Sequence, residues 1–183
     1  MAYKVHTPET APAKAREVLE TAKKAYGFVP NLLGIMAESP ALLKAYTTLG
    51  SLFSETSLSP TEQQVVLLSV SLENACIYCV SAHSVIAEMK EVPSKVIEAL
   101  RNGVAIPDKK LEALRAFTVS VVRSRGWPSE EEVRSFLAAG YTQATILEVI
   151  LGVGMKTLSN YTNHMAKTPL DAAFAKAAWS KVA

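Results

Sequence analysis

Residues 58–83 read LSPTEQQVVLLSVSLENACIYCVSAH and join a helix start, an apolar run and a C-x-x-C motif followed by histidine. Ser59 is followed by Pro60 and, three residues on, by Glu62, which is the pattern of a helix capping box. The run 65–72 is apolar nearly all round, as in helices buried in a core or at a subunit interface. The stretch therefore predicts a buried helix that leads directly into Cys76 and Cys79.

The spacing of Cys76, Cys79 and His83 predicts redox chemistry. The chain has two cysteines and three histidines in all. On one α-helix these three side chains fall within an arc of roughly 60°. The two Cα atoms then lie about 5–5.5 Å apart, a separation that a disulfide tolerates. The spacing thus suits a reversible dithiol–disulfide pair with a proton carrier one turn away.

The position of the cysteines at a helix start favours their ionised form. We expect Asn74 to break the preceding helix and to cap the next one, which places Cys76 and Cys79 in its first turn or two. Free N–H groups and the helix dipole favour an anion there. Thiolate is the species that attacks peroxides and disulfides.

Composition narrows the class of protein. The 183 residues are 49% hydrophobic and 20% charged, with a net charge of +2. These values are ordinary for a soluble globular domain and, with no basic stripe, give no case for nucleic acid binding. We also expect no membrane span and, since residues 1–6 lack an apolar signal region, a cytoplasmic location. In that compartment a C-x-x-C is more often catalytic or metal-binding than a permanent crosslink.

Nearly the whole chain has the pattern of helix, with proline and glycine between segments. Gly103, Gly126 and Gly140 are expected helix stops, and Ser129 with Glu132 is a second capping box. Linkers are short, so we predict an all-α fold and a single domain over 1–183, with its core motif region at about 40–125. The predicted helical segments are 10–26, 30–38, 40–54, 59–73, 75–90, 93–102, 108–125, 129–139, 142–166 and 169–180.

The stretch 58–83 resembles the AhpD-like alkylhydroperoxidases of the carboxymuconolactone decarboxylase superfamily. Residues 160–171, NYTNHMAKTPLD, are similar to the peroxidase-related branch of the same family. The resemblance implies a compact multi-helix fold with the C-x-x-C at a helix N-terminus. It also implies peroxidase or disulfide-reductase chemistry that needs no haem, flavin or metal.

The resemblance assigns roles to individual residues. It implies that Cys79 attacks the peroxide, that Cys76 resolves it and that His83 helps to carry protons. Gln64 stands where the family has a catalytic glutamate, and it can orient His83 but cannot take its proton. Tyr78 stands where the founding enzyme often has histidine.

Other interpretations of the motif stay open at this point. Cys76, Cys79 and His83 supply three zinc ligands, with His164 as the available fourth, and the cysteines can also be an inert buried pair. A lone histidine on a helix face is usually structural. Of these interpretations, the redox pair is the one we adopt, with no metal or other cofactor.

Further pocket candidates carry weaker signals. Glu148 is the one charge within the apolar run 146–155 and is either a pocket acid or a residue facing solvent or an interface. Tyr78 either donates to substrate or packs in the core. Candidates for lining the pocket are Tyr78, Glu73, Glu148, Asn163 and His164. Glu62, Glu73 and Glu148 are the candidates for replacing the family's glutamate in the proton relay.

The sequence thus predicts a thiol-dependent peroxidase that reduces organic hydroperoxides. We expect a dithiol protein or a small thiol to recycle it, and we expect a homo-oligomer, a trimer or hexamer. The alternatives are a decarboxylase-like enzyme of the same superfamily that does not need the cysteines, and a non-enzymatic thiol redox sensor.

Overall fold

The computed structural model describes residues 3–180; Met1, Ala2 and residues 181–183, which the predicted domain includes, lie outside the described residues. Within 3–180 the chain is helical and has no strand, as predicted. The α-helices are α1 (Ala13–Tyr26), α2 (Asn31–Met36), α3 (Pro40–Ser54), α4 (Pro60–Glu73), α5 (Ile77–Met89), α6 (Ser94–Asn102), α7 (Lys109–Arg123), α8 (Glu130–Ala138) and α9 (Gln143–Ala166). A 3-10 helix, Ala172–Ala177, follows them.

Helix starts and stops follow the local signals in the sequence. Both predicted capping boxes form, at Ser59 with Glu62 and at Ser129 with Glu132. The three glycines expected to stop helices all adopt positive φ, and Gly103 is itself the C-cap of α6.

Helix α4 is the centre of the molecule. Its residues from Gln63 to Ser71 are all buried, and it packs against α3, α5, α6, α7 and α9. One apolar core joins α4 to α7 and α9. A second, built from α1, α2, α3, α5 and the 3-10 helix, holds both cysteines. The C-x-x-C motif is therefore part of a hydrophobic core.

The junction between α4 and α5 differs from the prediction at one residue. Asn74 is the C-cap of α4, and Cys76 is the N-cap of α5. Ala75 between them has a φ of 51°, and the Cys76 N–H donates to Ser71 O at 2.9 Å. Asn74 does not cap α5 because the turn closes back onto α4. The side chain of Asn74 is also engaged elsewhere, since its Nδ2 donates to Asn160 Oδ1 at 2.9 Å.

The C-terminal segment is shorter than the predicted helix 169–180. Only the 3-10 helix forms there, and Asp171 at its start makes no side-chain cap. Its carboxylate accepts instead from the Asn31 N–H, at 3.1 Å for Oδ1. Asp171 thereby caps α2, whose own preceding residue, Pro30, provides no side-chain cap.

No single helix among residues 3–180 has both the length and the apolar composition of a membrane span; α8 and α9 meet that test only when counted together, across a bend of 112°.

Candidate active site

The two cysteines occupy different positions at the start of α5. Cys76 precedes the helix as its N-cap, and Cys79 is the third residue of the helix. Both are free thiols and both are buried. Cys79 lines a cavity of about 490 Å³, whereas Cys76 is not among its lining residues. Cys79 is therefore the sulfur that a bound molecule meets first.

Helix α9 supplies polar partners to the sulfur atoms. Asn163 Nδ2 lies 3.2 Å from Cys79 Sγ and 3.7 Å from Cys76 Sγ, so one amide donates to both. Ser159 Oγ lies 3.9 Å from Cys79 Sγ as an acceptor, and its own hydroxyl donates to Lys156 O at 3.1 Å. Hydrogen-bond donors directed at a sulfur favour its thiolate form.

The pair is electrostatically asymmetric. Burial by itself would raise the pKa of Cys79, but the hydrogen bond from Cys76 and the charge of Lys156 outweigh it and hold that pKa well below its ordinary value. The same hydrogen bond, then burial and the charge on Cys79, raises the pKa of Cys76. The environment therefore favours ionisation of Cys79 over ionisation of Cys76.

Lys156 of α9 is fully buried and lines the same cavity. Its Nζ has no hydrogen-bond partner of ordinary geometry among the described residues. Its positive charge nevertheless lowers the pKa of Cys79. A buried cation beside a sulfur that is readily ionised is the main electrostatic feature of this site.

His83 is held neutral in the cavity wall. Its Nδ1 lies 3.1 Å from Gln64 Oε1, so Nδ1 carries the proton and Nε2 is left as an acceptor. Burial, followed by the positive charges of Lys156 and Lys90, lowers the pKa of His83 well below its ordinary value. Gln64 thus orients the imidazole, as its side chain predicts.

Tyr78 belongs to a structural network beside the cysteines. Its hydroxyl donates to Asp171 Oδ2 at 2.5 Å and lies 3.4 Å from the Leu32 N–H. Burial, followed by this hydrogen bond and the charge on Asp171, raises the pKa of Tyr78. The hydroxyl is therefore engaged in tying α5 to α2 and the C-terminal segment, although the ring still lines the cavity.

The cavity beside Cys79 is mostly apolar and rich in aromatic rings. Its charged lining residues among those described are Lys90 and Lys156, and none of them is acidic. Aromatic walls come from Tyr26, Phe28, Tyr46, Tyr78 and Phe174. Such a lining suits a small apolar or aromatic molecule.

Three predicted pocket residues lie elsewhere. Glu148 accepts from the N–H and the hydroxyl of Ser57, at 2.8 and 2.7 Å, because the end of α3 turns over the start of α9 there. Glu73 pairs with Arg123 at 2.8 Å. His164 is exposed and stacks on Tyr161.

The open metal interpretation finds no ligand set in the described part of the chain. Across residues 3–180 no group of three or more His, Cys, Asp or Glu side chains is arranged to hold a metal ion. His164, the suggested fourth zinc ligand, points to solvent while Cys76 and Cys79 are buried.

Sequence reasoning missed Lys156, Ser159, Tyr46 and Asp171. A signal for Lys156 did exist, since the buried positions of α9 recur every three or four residues and position 156 falls among them. A lysine on the buried face of an apolar helix is unusual unless it is paired. Tyr46 and Asp171 carry no comparable local signal.

Comparison with known proteins agrees with this architecture. The sequence profile of the carboxymuconolactone decarboxylase family matches residues 40–120. No functionally curated protein matches the chain significantly.

Solved structures share the fold at low sequence identity. One is an alkylhydroperoxidase AhpD core, a peroxidase-related protein from Ralstonia eutropha JMP134, with a TM-score of 0.83, 20% identity and coverage of 94% of this chain and 93% of that one. A peroxidase-related protein from Silicibacter sp. TM1040 has a TM-score of 0.78 and 22% identity, over 89% and 87% of the two chains. A cysteine-to-alanine variant of the debrominase Bmp8, in complex with 2,3,4-tribromopyrrole, has a TM-score of 0.76 and 19% identity, over 90% and 89%.

The fold and the family match together define an AhpD-like all-α protein. Residues 40–120 match the carboxymuconolactone decarboxylase family model, in agreement with the resemblance of residues 58–83, and the solved structures share the fold.

Proposed function

We propose that the protein is a thiol-dependent peroxidase that reduces organic hydroperoxides through Cys79 and Cys76. The observation that carries the proposal is the asymmetry of the pair: Cys79 faces an apolar cavity with its thiolate favoured, and Cys76 lies behind it as a thiol. A nucleophilic thiolate at the cavity and a second thiol beside it are what a two-cysteine peroxidase requires.

The proposed cycle has three steps. The Cys79 thiolate attacks the terminal oxygen of ROOH, the O–O bond breaks, and the alkoxide takes a proton and leaves as ROH. Cys79 is now a sulfenic acid, and Cys76 condenses with it to form the disulfide and release water. A dithiol protein or a small thiol then reduces the disulfide by exchange, which fits a reducing compartment such as the cytoplasm.

Rapid-mixing kinetics with cumene hydroperoxide test this proposal. We expect the wild type to consume peroxide in the presence of dithiothreitol. Cys79→Ser should abolish this consumption, and Cys76→Ser should complete one turnover but form no disulfide between the two positions. Non-reducing mass spectrometry after one equivalent should show the loss of two hydrogens from the peptide spanning both cysteines.

Other outcomes identify the alternatives. Rapid disulfide formation without sustained turnover would indicate a redox sensor. Peroxide consumption that survives Cys79→Ser would contradict the thiol mechanism, and lactone or decarboxylase substrates should then be tried with that variant.

The aromatic lining of the cavity favours a second candidate, reductive debromination of a small aromatic. In this reaction the Cys79 thiolate takes bromine from the carbon, which gains a proton, and Cys76 then displaces bromide to form the same disulfide. Bromide release from 2,3,4-tribromopyrrole, measured by ion chromatography with dithiothreitol as reductant, tests it. Release that depends on Cys79 in a protein that leaves hydroperoxides intact would favour debromination over peroxidase activity.

A further inference from the structure

We propose that the ammonium group of Lys156 is the counter-ion of the Cys79 thiolate and donates the proton that the departing alkoxide takes. The proton-transfer part rests on the proposed function, whereas the ion pair does not. Lys156 would thus fill the role of the acid–base group that Gln64 and a neutral His83 do not provide.

Burial is the first argument. The side chain of Lys156 has no exposed surface, and no described atom, sulfur included, accepts a hydrogen bond from its Nζ. Burying an ammonium without a partner is costly, so the structure must compensate its charge. The Cys79 thiolate in the same cavity wall is the compensating anion.

The surroundings offer no other anion. The described lining of the cavity contains no carboxylate, and the buried carboxylate of Asp171 is engaged by Tyr78 and Asn31. His83 is neutral and donates to Gln64, so it supplies neither charge nor an exchangeable proton from Nδ1. Lys156 is therefore the one buried cation beside the reacting sulfur among the described residues.

The proton balance closes with Lys156 as donor. When sulfur attacks ROOH, the alkoxide takes a proton from the ammonium and leaves as ROH, and Lys156 becomes a neutral amine. The amine takes the proton of Cys76 as that sulfur attacks the Cys79 sulfenic acid, and the ammonium so formed returns it to the departing hydroxide to give water. Reduction of the disulfide by a dithiol restores the thiolate, the thiol and the ammonium.

Several titratable groups face Cys79 and will shape its titration. Cys76, Tyr78 and His83 lie on the same helix or at its start, Tyr46 comes from α3 and Lys156 from α9. Cys76→Ser keeps a hydroxyl at the neighbouring position and leaves a single thiol to titrate. This variant is the parent for the experiment.

The test measures the rate of alkylation of Cys79 by iodoacetamide from pH 4 to 10. In the parent we expect a midpoint well below the value of about 8.5 for a free thiol. Adding Lys156→Met should move the midpoint up by at least about one pH unit and slow alkylation at pH 6 by about tenfold or more. Lys156→Arg, which keeps the charge, should retain the low midpoint, and Lys95→Met, which removes an exposed charge on α6, should not change it.

Two results would overturn the ion pair. One is an alkylation midpoint in the Cys76→Ser parent near that of a free thiol. This measurement does not depend on whether a lysine variant folds. The other is an unchanged midpoint in a Lys156→Met protein whose circular dichroism shows the native helix content. Neither reading depends on peroxide turnover, so the ion pair can be judged even if the proposed function fails.

Proton donation has a separate readout. At pH 9.5, once kcat/KM is divided by the ionised fraction of Cys79 given by the alkylation midpoint with and without Lys156→Met, this substitution in the two-cysteine protein should still reduce kcat/KM for cumene hydroperoxide by about tenfold or more. Equal kcat/KM values, so divided, for this variant and the wild type at pH 9.5 would overturn the donor role.

Discussion

At residue 83 the fold keeps an imidazole neutral. His83 is buried, has two lysine charges near it and has an amide, Gln64, as its hydrogen-bond partner. Burial and the two lysine charges disfavour the imidazolium form, and the amide brings no negative charge to offset them. The chemistry at this residue is therefore that of a neutral acceptor at Nε2 and not that of an acid.

Neutral His83 makes stability depend on pH. Since its pKa is lowered on folding, the unfolded chain binds a proton below about pH 6.5 that the folded chain does not, and stability falls as pH falls. We expect up to about 1.4 kcal/mol of lost stability per pH unit between pH 6 and 4 from this group. Urea unfolding of wild type and His83→Gln between pH 6 and 4 measures this loss. If the unfolding free energies of the two proteins fall in parallel with pH, the prediction is wrong.

Gln64→Glu should turn this histidine into a titrating group. A carboxylate 3 Å or so from Nδ1 favours the imidazolium form, so the pKa of His83 should rise by one unit or more, about 1.4 kcal/mol of interaction per unit. NMR of the imidazole carbons from pH 4 to 9 measures the shift. Glu62→Gln is the control because Glu62 caps α4 instead of contacting His83.

At the scale of elements, the approach of α9 to α4 and α3 sets the geometry of the site. Gly152 of α9 leaves no room for a side chain: a Cβ there would lie 2.7 Å from Val66 and 2.8 Å from Phe53. The close contact brings Lys156, Ser159 and Asn163, one, two and three turns further along, against the cysteines. Helix packing at Gly152 and the position of the polar groups are therefore coupled.

Gly152→Ala should destabilise the protein by about 1–3 kcal/mol because Val66 and Phe53 must move. The matched control is Gly50→Ala in α3, where the nearest atom to the new Cβ is Met155 Cε at 4.0 Å. There alanine should stabilise the helix by about 0.5–1 kcal/mol. If the urea midpoints of Gly152→Ala and Gly50→Ala move in the same direction, the steric explanation for Gly152 is wrong.

The network of Tyr78 and Asp171 should have a measurable free energy. Tyr78→Phe removes a buried hydroxyl and leaves the Asp171 carboxylate with the Asn31 N–H, so we expect a loss of about 1–3 kcal/mol in urea unfolding. Tyr3→Phe, at a ring that is 48% exposed, is the control and should be neutral. Equal midpoints for the two variants would show that the network contributes nothing.

On the scale of the whole molecule, α9 also presents an apolar stripe to the outside. Leu147, Ile150, Tyr161 and Met165 are exposed and recur on one side of the helix. Exposed stripes of this kind commonly mark interfaces. They suit the predicted homo-oligomer, which stays a prediction.

Sedimentation velocity tests the predicted assembly. We expect wild type to sediment as a trimer or hexamer and Ile150→Glu to shift it to smaller species, because a charge in an apolar interface is costly. Val104→Glu places the same charge at an exposed apolar residue away from α9 and should leave assembly intact. Wild type sedimenting as a single copy would contradict the prediction.

Local sequence determined the helices and the pairing of the two cysteines with His83. Capping boxes, glycine stops and apolar runs act within about four residues, so they are visible in the chain itself, and the C-x-x-C with His83 and Gln64 is spaced by helix geometry. The prediction that Asn74 caps α5 is wrong for a local reason. The same residue can end α4 or begin α5, and the sequence pattern does not distinguish the two.

Tertiary structure alone decided what surrounds the sulfurs. Asn163 reaches Cys79 across 84 residues of sequence, and Lys156 reaches it from the same helix, because α9 packs closely on α4 at Gly152. The same packing directs Glu148 to Ser57 and away from the cavity. Contacts of this range depend on how whole helices fit together, and no short pattern in the sequence encodes that fit.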